Sequence, residues 1–435
     1  MPRTDPARLV AFDVLRAVSD KDAYANLELS RLLRERSVGG RDAALATELV
    51  GGTLRLRGSY DDVIDRLVSR DLDGGVRDAL RLGAHQLLSM RVPTHAAVDT
   101  TVALVKEQIG HRPSGLVNAV LRKIAARPLA DWLDGRPLSV RTAHPEWVVD
   151  ALSAALARPA ELDALLAADN ERPGVTLVAR PGVCGTDELG GTPIAISPYA
   201  VALEGGDPGA LAAVREGRAG VQDAGSQVVA LVAADAPLDG PDERWLDLCA
   251  GPGGKAALLA GLAAGRGARL LANERAPHRA GLVDRSLRAV RPGVLGVIAG
   301  DGTEPAWLPA SFDRVLLDAP CSGLGALRRR PESRWRRTPA DVEELVGLQT
   351  ALLGSALDAA RPGGVVLYAT CSPVVAETVG VVETVLGRRA DVVVEDATGL
   401  VAADDAESAH LRGAVQLWPH RHGTDAMFIS LLRKR

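Results

Sequence analysis

The sequence offers no run of eighteen or more apolar residues uninterrupted by charge, which leaves no candidate for a membrane-spanning helix. Aromatic residues make up only 3% of the 435 residues. There are four cysteines, Cys184, Cys249, Cys321 and Cys371, and no C-x-x-C pair, so neither a disulfide framework nor a zinc ribbon is available. A reducing cytoplasm is the expected compartment. The opening "MPRTDPARLVAFDVL" carries two Asp and lacks an apolar core, so it does not read as a secretory leader. The eight histidines form no ligand set: "HPE" (144–146) and "PHRH" (419–422) read as turns, and no metal is expected. A basic excess is also missing, the net charge being −4. Totals hide uneven distribution, however, and residues 328–337 hold six Arg against one Glu.

The first 130 residues read as all-helical. "ARLVAFDVLRAVSD" places apolar residues at 9, 10, 12, 14, 15 and 18, on one helical face, and later segments repeat this character between Gly, Pro and Asp punctuation. Five to seven helices are expected. The Pro-bearing stretch 126–147 reads as a linker, and 131–240 as a linker with a small α/β subdomain. From 241 to 435 short apolar runs alternate with helical stretches: "WLDLCA", "RLLANE", "GVLGVIAGD", "FDRVLLDAP", "GGVVLYATC", "DVVVED" and "AMFISLLR". That alternation predicts a mostly parallel sheet covered on both faces, with ligands at the carboxyl ends of its strands.

Three motifs follow such strands. "LDLCAGPGGKAALL" (246–259) reads as strand, glycine turn and helix start, so Cys249, Ala250, Gly251, Pro252, Gly253, Gly254 and Lys255 form a candidate ligand loop. Glu274, 20 residues beyond Gly254, ends the next strand, where a carboxylate can accept ribose hydroxyls; Asp301 ends the third, within reach of an adenine edge. This pattern suits a nucleoside cofactor and does not by itself separate NAD from S-adenosylmethionine. The second motif is "DAPCSG", with Asp318 at a strand end and Pro320 stiffening the turn that presents Cys321. The third is "ATCSP", with Cys371 at the end of the following strand. Two cysteines at adjacent strand ends, each beside Pro and Ser, point to thiol chemistry. Cys184 and Cys249 read as packing residues. Arg328, Arg329, Arg330, Arg334, Trp335, Arg336 and Arg337 form a candidate RNA contact, because guanidinium groups fork onto phosphate and Trp stacks on bases.

Together these motifs, in this order and with the closing "WPHRHGTDAMFISLL", resemble the bacterial RNA cytosine-C5 methyltransferases of the Fmu/Sun/NOL family, the ribosomal small subunit methyltransferase B subgroup above all. The helical N-terminus, with "LRLGAHQLL", "HAAVDTTVALVK" and "GLVNAVLRK", resembles a NusB-type RNA-binding domain. The resemblance covers nearly the whole chain. It implies a Rossmann-like class I methyltransferase domain with a seven-stranded sheet, S-adenosylmethionine held by 249–255, Glu274, Asp301 and Asp318, and 16S rRNA as substrate. Nothing in the sequence demands more than a monomer. The resemblance also implies that Cys371 is the nucleophile, Cys321 the helper that releases product and Asp318 a stabiliser of the activated ring. Spacing alone leaves the two cysteine roles interchangeable. The chain departs from the family pattern at "AGPGG", at Ala256 after Lys255, at Glu274 in place of Asp and at Ala426 in place of Gly, none of which removes a reactive group. Three alternatives stand beside this reading: a tRNA cytosine-C5 methyltransferase, a non-catalytic RNA-binding assembly or antitermination factor, and an NAD-dependent oxidoreductase, which leaves both cysteines and the arginine run unexplained.

Overall fold

The computed structural model describes residues 5–90 and 92–435. Its contacts divide the chain into two units. The first comprises 1–150, 166–172 and, from far along the chain, 327–336; the second comprises 151–165, 173–326 and 337–435.

In the first unit seven helices span Pro6–Lys21, Ala25–Glu35, Gly40–Arg55, Arg57–Asp65, Gly74–Leu88, Thr94–Gln108 and Ser114–Ile124. Local chemistry sets several starts. Asp5 accepts from the Arg8 amide and is followed by Pro at the first helical position, while Asp73 accepts from the amides of Gly75 and Val76. Their apolar faces close one core that includes Val10, Leu49, Ile64, Leu80, Leu104 and Leu121. The 126–147 stretch is not an extended linker. It holds two short helices, Leu129–Leu133 and Leu138–Arg141, and Trp132 is buried in the same core, its indole N–H donating to Ile124 O at 3.1 Å. Prolines start these helices at their N-termini, where a missing N–H costs nothing.

The peptide 327–336 completes this unit. Arg334 is wholly enclosed, with Nη1 donating to Asn170 Oδ1 at 2.8 Å and to Ala143 O at 3.2 Å, and Nη2 donating to Asp169 O at 3.3 Å. Burial pulls its guanidinium pKa down to about 10, so it still carries its charge at neutral pH. Trp335 lies so close over Gly58 that a methyl group there would meet the ring at 2.4 Å. Glu332 accepts from the Ala25 amide at 3.2 Å, and Arg336 sits 4.6 Å above the Tyr24 ring.

The second unit contains a four-stranded antiparallel sheet, β1 (Val175–Ala179), β2 (Thr192–Pro193), β3 (Ala200–Leu203) and β4 (Ala219–Val221), in the order β2-β3-β1-β4. It also contains the main sheet: β5 (Arg244–Asp247), β6 (Arg269–Glu274), β7 (Val294–Ala299), β8 (Phe312–Asp318), β9 (Ala360–Thr370), β10 (Val392–Glu395), β11 (Val415–Gln416) and β12 (Phe428–Lys434). Seven of these run in the order β10-β12-β9-β8-β5-β6-β7, and β11 pairs with β12 as a short eighth strand. Pairings from β7 through β9 are parallel, and those of β12 are antiparallel. This is the expected α/β sheet. Helices Ala224–Asp235 and Gly254–Gly265 cover one face, and Pro339–Ala359 and Val379–Leu386 the other, each closing its own core. The strand order reverses at β5, and a cleft at such a reversal lies beyond the carboxyl ends of β5, β6, β8 and β9.

Candidate active site

The motif residues of the second unit sit at those carboxyl ends and, for Asp301, at that of β7. The loop after β5 turns back through Gly253 N–H to Ala250 O at 2.7 Å, with Gly253 at φ 106°, and delivers the chain into the helix Gly254–Gly265. Gly251 has a specific reason to be glycine: a methyl group on it would come within 2.0 Å of a Glu274 oxygen. Glu274, at the end of β6, is 5% exposed and accepts from the Ala276 amide at 3.0 Å. Arg279 reaches across to Gly251 O at 3.0 Å and lies 3.5 Å from Glu274. Asp301, after β7, accepts from Thr303 N–H and Oγ at 2.9 and 2.7 Å, which hold its carboxyl below the usual range. Asn273 ties these strand ends together by donating to Leu248 O and Gly300 O at 3.0 and 3.1 Å. The loop-and-carboxylate set thus forms a cradle that a side chain at 251 would fill, and its chemistry fits the ribose, base and charged tail of a nucleoside cofactor.

Beside the cradle, Lys255 Nζ binds Asp318 Oδ2 at 2.8 Å. Burial opposes the Lys255 charge, but Asp318 overcomes this and raises the ammonium pKa. Lys255 therefore stays charged where the cradle meets the thiols. Burial pushes the Cys249 thiol up, as expected of a packing residue.

Cys321, after β8, and Cys371, after β9, bring their sulfur atoms to 3.4 Å. The hydrogen bond to Cys371 and then burial raise the Cys321 pKa well above the ordinary thiol value, so Cys321 holds its proton at neutral pH. Gly325 keeps the two turns in register: its N–H donates to Cys371 O at 2.9 Å, its carbonyl accepts from the Ala426 amide at 2.8 Å, and a methyl group there would meet Ala426 O at 2.1 Å. Cys184 lies in a loop of the smaller sheet, with Sγ donating to Gly185 O at 3.3 Å. Among the described residues no three His, Cys, Asp or Glu side chains group as a metal site, and no helix is long and apolar enough to cross a membrane.

The arginine run divides. Arg334 and Trp335 are spent on packing and are not available to phosphate or base in this conformation; Arg328 is buried as well. Arg336 is engaged by Asp22 and Tyr24. Arg329 and Arg330 are exposed, and Arg337 is half-buried. Part of the run is thus an anchor: Arg334 turns inward because Ala143, Asp169 and Asn170 supply acceptors for it, and Trp335 packs on Gly58.

Asp247, one residue before the glycine loop begins, was not singled out from sequence, although an acid at that strand end is a recognisable signal. It is 1% exposed, and neither oxygen has a hydrogen-bond partner among the protein's groups. The Cys249 amide is near enough to favour the ionised form slightly without meeting hydrogen-bond geometry. Burial and then the charge of Asp318 raise its pKa from 3.8 to about 8. An acid with a raised folded-state pKa binds its proton more tightly when folded. Its contribution to stability is therefore complete below 3.8 and is lost as pH rises through about 8. Asp247→Asn, which keeps the shape and cannot titrate, is expected to flatten the fall in unfolding free energy across that window. Denaturant unfolding of the cofactor-free protein at a series of pH values measures it; an unchanged slope contradicts the assignment.

Comparison with known proteins agrees with this geometry. The family model described as 16S rRNA methyltransferase RsmB/F matches residues 237–433, and the NusB family model matches 5–126. Putative methyltransferase Rv1407 of Mycobacterium tuberculosis is 52% identical over 452 aligned positions, covering 99% of this chain and 97% of that protein. Ribosomal RNA small subunit methyltransferase B of Erwinia tasmaniensis is 34% identical, covering 92% of each. Among solved structures, that of PH0851 is similar in fold, with a TM-score of 0.80 at 22% identity over 99% of both chains. The cofactor cradle, the paired thiols and these relationships agree: the chain belongs to the RsmB/F family of methyltransferases and carries a NusB-family domain ahead of its methyltransferase domain.

Proposed function

We propose that the protein methylates C5 of a cytosine in 16S ribosomal RNA, using S-adenosylmethionine and a covalent bond between Cys371 and C6 of the base. The observation that carries this reading is the 3.4 Å approach of Cys321 and Cys371 beside the Lys255–Asp318 pair. S-adenosylmethionine, when bound by the 249–255 loop, Glu274, Asp301 and Asp318, supplies an electrophilic methyl group.

Cytosine C5 is too weak a nucleophile to accept that methyl unaided. Addition of the Cys371 thiolate to C6 converts the ring into an enamine-like species with electron density at C5. Asp318 accepts from the 4-amino group and, when it carries a proton, hands that proton to N3 as the thiolate adds, so the added electron pair is held as a neutral enamine; Lys255 keeps the carboxyl group oriented. After C5 is methylated its proton leaves to a base, and the electron pair released expels the Cys371 sulfur from C6. A second thiol beside the nucleophile can exchange a proton with the reacting centre during that breakdown, and the family resemblance assigns this helper role to Cys321. A base in a duplex is out of reach of such a site, so the target is a loop or unfolded segment. The similarity to the Erwinia ribosomal RNA methyltransferase and the NusB-family domain support ribosomal RNA; the solvent-facing side of the run, with exposed Arg329 and Arg330 and half-buried Arg337, is where phosphate contact is proposed.

The test is transfer of labelled methyl from S-adenosylmethionine to protein-free 16S rRNA, with total tRNA as comparator. Label is expected in 5-methylcytosine of the rRNA. Label confined to tRNA would move the substrate class, and label in neither RNA, free or in assembling subunits, would overturn the reading.

A further inference from the structure

Six residues after Cys371, in the short turn Val375–Glu377, lies a carboxylate that the mechanism above does not use. Glu377 is fully buried. Its Oε1 accepts from the Ser322 amide at 2.7 Å and from Gln349 Nε2 at 3.1 Å; its Oε2 accepts from Ser322 Oγ at 2.5 Å and Ser372 Oγ at 2.6 Å. The two serine hydroxyls are 3.0 Å apart, and Gln349 Nε2 also donates to Pro320 O at 2.9 Å. Ser322 directly follows Cys321, Ser372 directly follows Cys371, and Pro320 precedes Cys321. One carboxylate therefore holds the turns that carry both thiols.

Strand pairing does not need it. β8 and β9 are already joined along their length, with Ala319 N–H on Ala369 O at 2.8 Å and Gly325 N–H on Cys371 O at 2.9 Å beyond the strand ends. Burying a carboxylate is costly unless donors surround it, and a neutral side chain would tie two turns at less expense. What the charge adds is fixed direction: charge-assisted bonds are short and strong and hold their donors in place. We propose that Glu377 is a positioning residue which, through Ser322 and Ser372, sets the separation and orientation of the Cys321 and Cys371 sulfurs. What those sulfurs do rests on the function proposed above; how they are held does not.

Two readouts on the full-length protein separate these claims. The first is the rate at which diamide, an azo oxidant that is reduced to its hydrazine as two thiols lose their protons and electrons, closes a Cys321–Cys371 disulfide. The second is kcat and KM for methyl transfer. Glu377→Gln keeps the size but turns an amide N–H₂ toward groups that donate, so at least one link must break. Disulfide closure is expected to slow by about tenfold or more, and kcat to fall about 10- to 100-fold with KM for both substrates little changed, the signature of misplaced reacting groups. Ser372→Ala, which removes one link and fills no new space, is expected to shift both readouts the same way by less, and carries the test if Glu377→Gln does not fold. A folded Glu377→Gln protein with closure and kcat at wild-type values would overturn the proposal. Slowed closure in a protein whose wild type methylates no RNA would support the positioning role and sink the functional reading instead.

Discussion

Replacing Cys371 by alanine is expected to remove methyl transfer, lowering kcat by at least about a thousandfold, a loss typical of deleting a covalent nucleophile. The reaction has no alternative route at this site: without sulfur on C6, C5 lacks the electron density to take a methyl group. Cys371→Ser is expected to fail nearly as completely, since a serine hydroxyl is far less nucleophilic than a thiolate. Cofactor affinity should survive, because the cradle is built from the ends of β5, β6 and β7 while Cys371 follows β9. Single-turnover label transfer and equilibrium binding of S-adenosylhomocysteine measure the two halves. Residual transfer within tenfold of wild type would contradict the role.

Cys321→Ala is expected to behave differently. The bond to C6 still forms, because Cys371 is untouched, but its breakdown loses the neighbouring thiol. Multiple-turnover kcat is expected to fall by about 10²- to 10⁴-fold, the range for loss of an acid–base group, while the first addition proceeds. The enzyme should accumulate as a protein–RNA complex that survives denaturation. If Cys321→Ala turns over normally with no adduct, the helper is another group.

Strand ends were the legible part of this sequence. "WLDLCA", "RLLANE", "FDRVLLDAP" and "GGVVLYATC" each join an apolar run to a polar or reactive residue, and a parallel sheet gathers such ends on one side. That the 249–255 loop, Glu274, Asp301, Asp318 and both cysteines gather at one edge of the sheet could therefore be read from the sequence. Long-range satisfaction of buried polar groups was not legible. Arg334 looks like one more surface arginine until Ala143, Asp169 and Asn170 are seen to supply its acceptors. Glu377 has only Ser372 as a partner nearby in sequence; Ser322 and Gln349, its other partners, come from distant segments. Trp132 was missed for a different reason. The prolines around it read as a linker, yet each simply starts a short helix that presses the indole into the helical core. Residues whose placement depends on one-dimensional neighbours were legible, and those whose placement depends on three-dimensional donors and acceptors were not.

Covalent catalysis by Cys371 is the central claim, and one measurement addresses it directly. The Cys321→Ala protein is incubated with S-adenosylmethionine and 16S rRNA, the denatured complex is digested with nuclease and protease, and the residue carrying the nucleotide is located by mass spectrometry. A methylated cytidine attached to Cys371 is the expected result. A nucleotide on any other residue, or an adduct that forms with Cys371→Ala and not with Cys321→Ala, would contradict it.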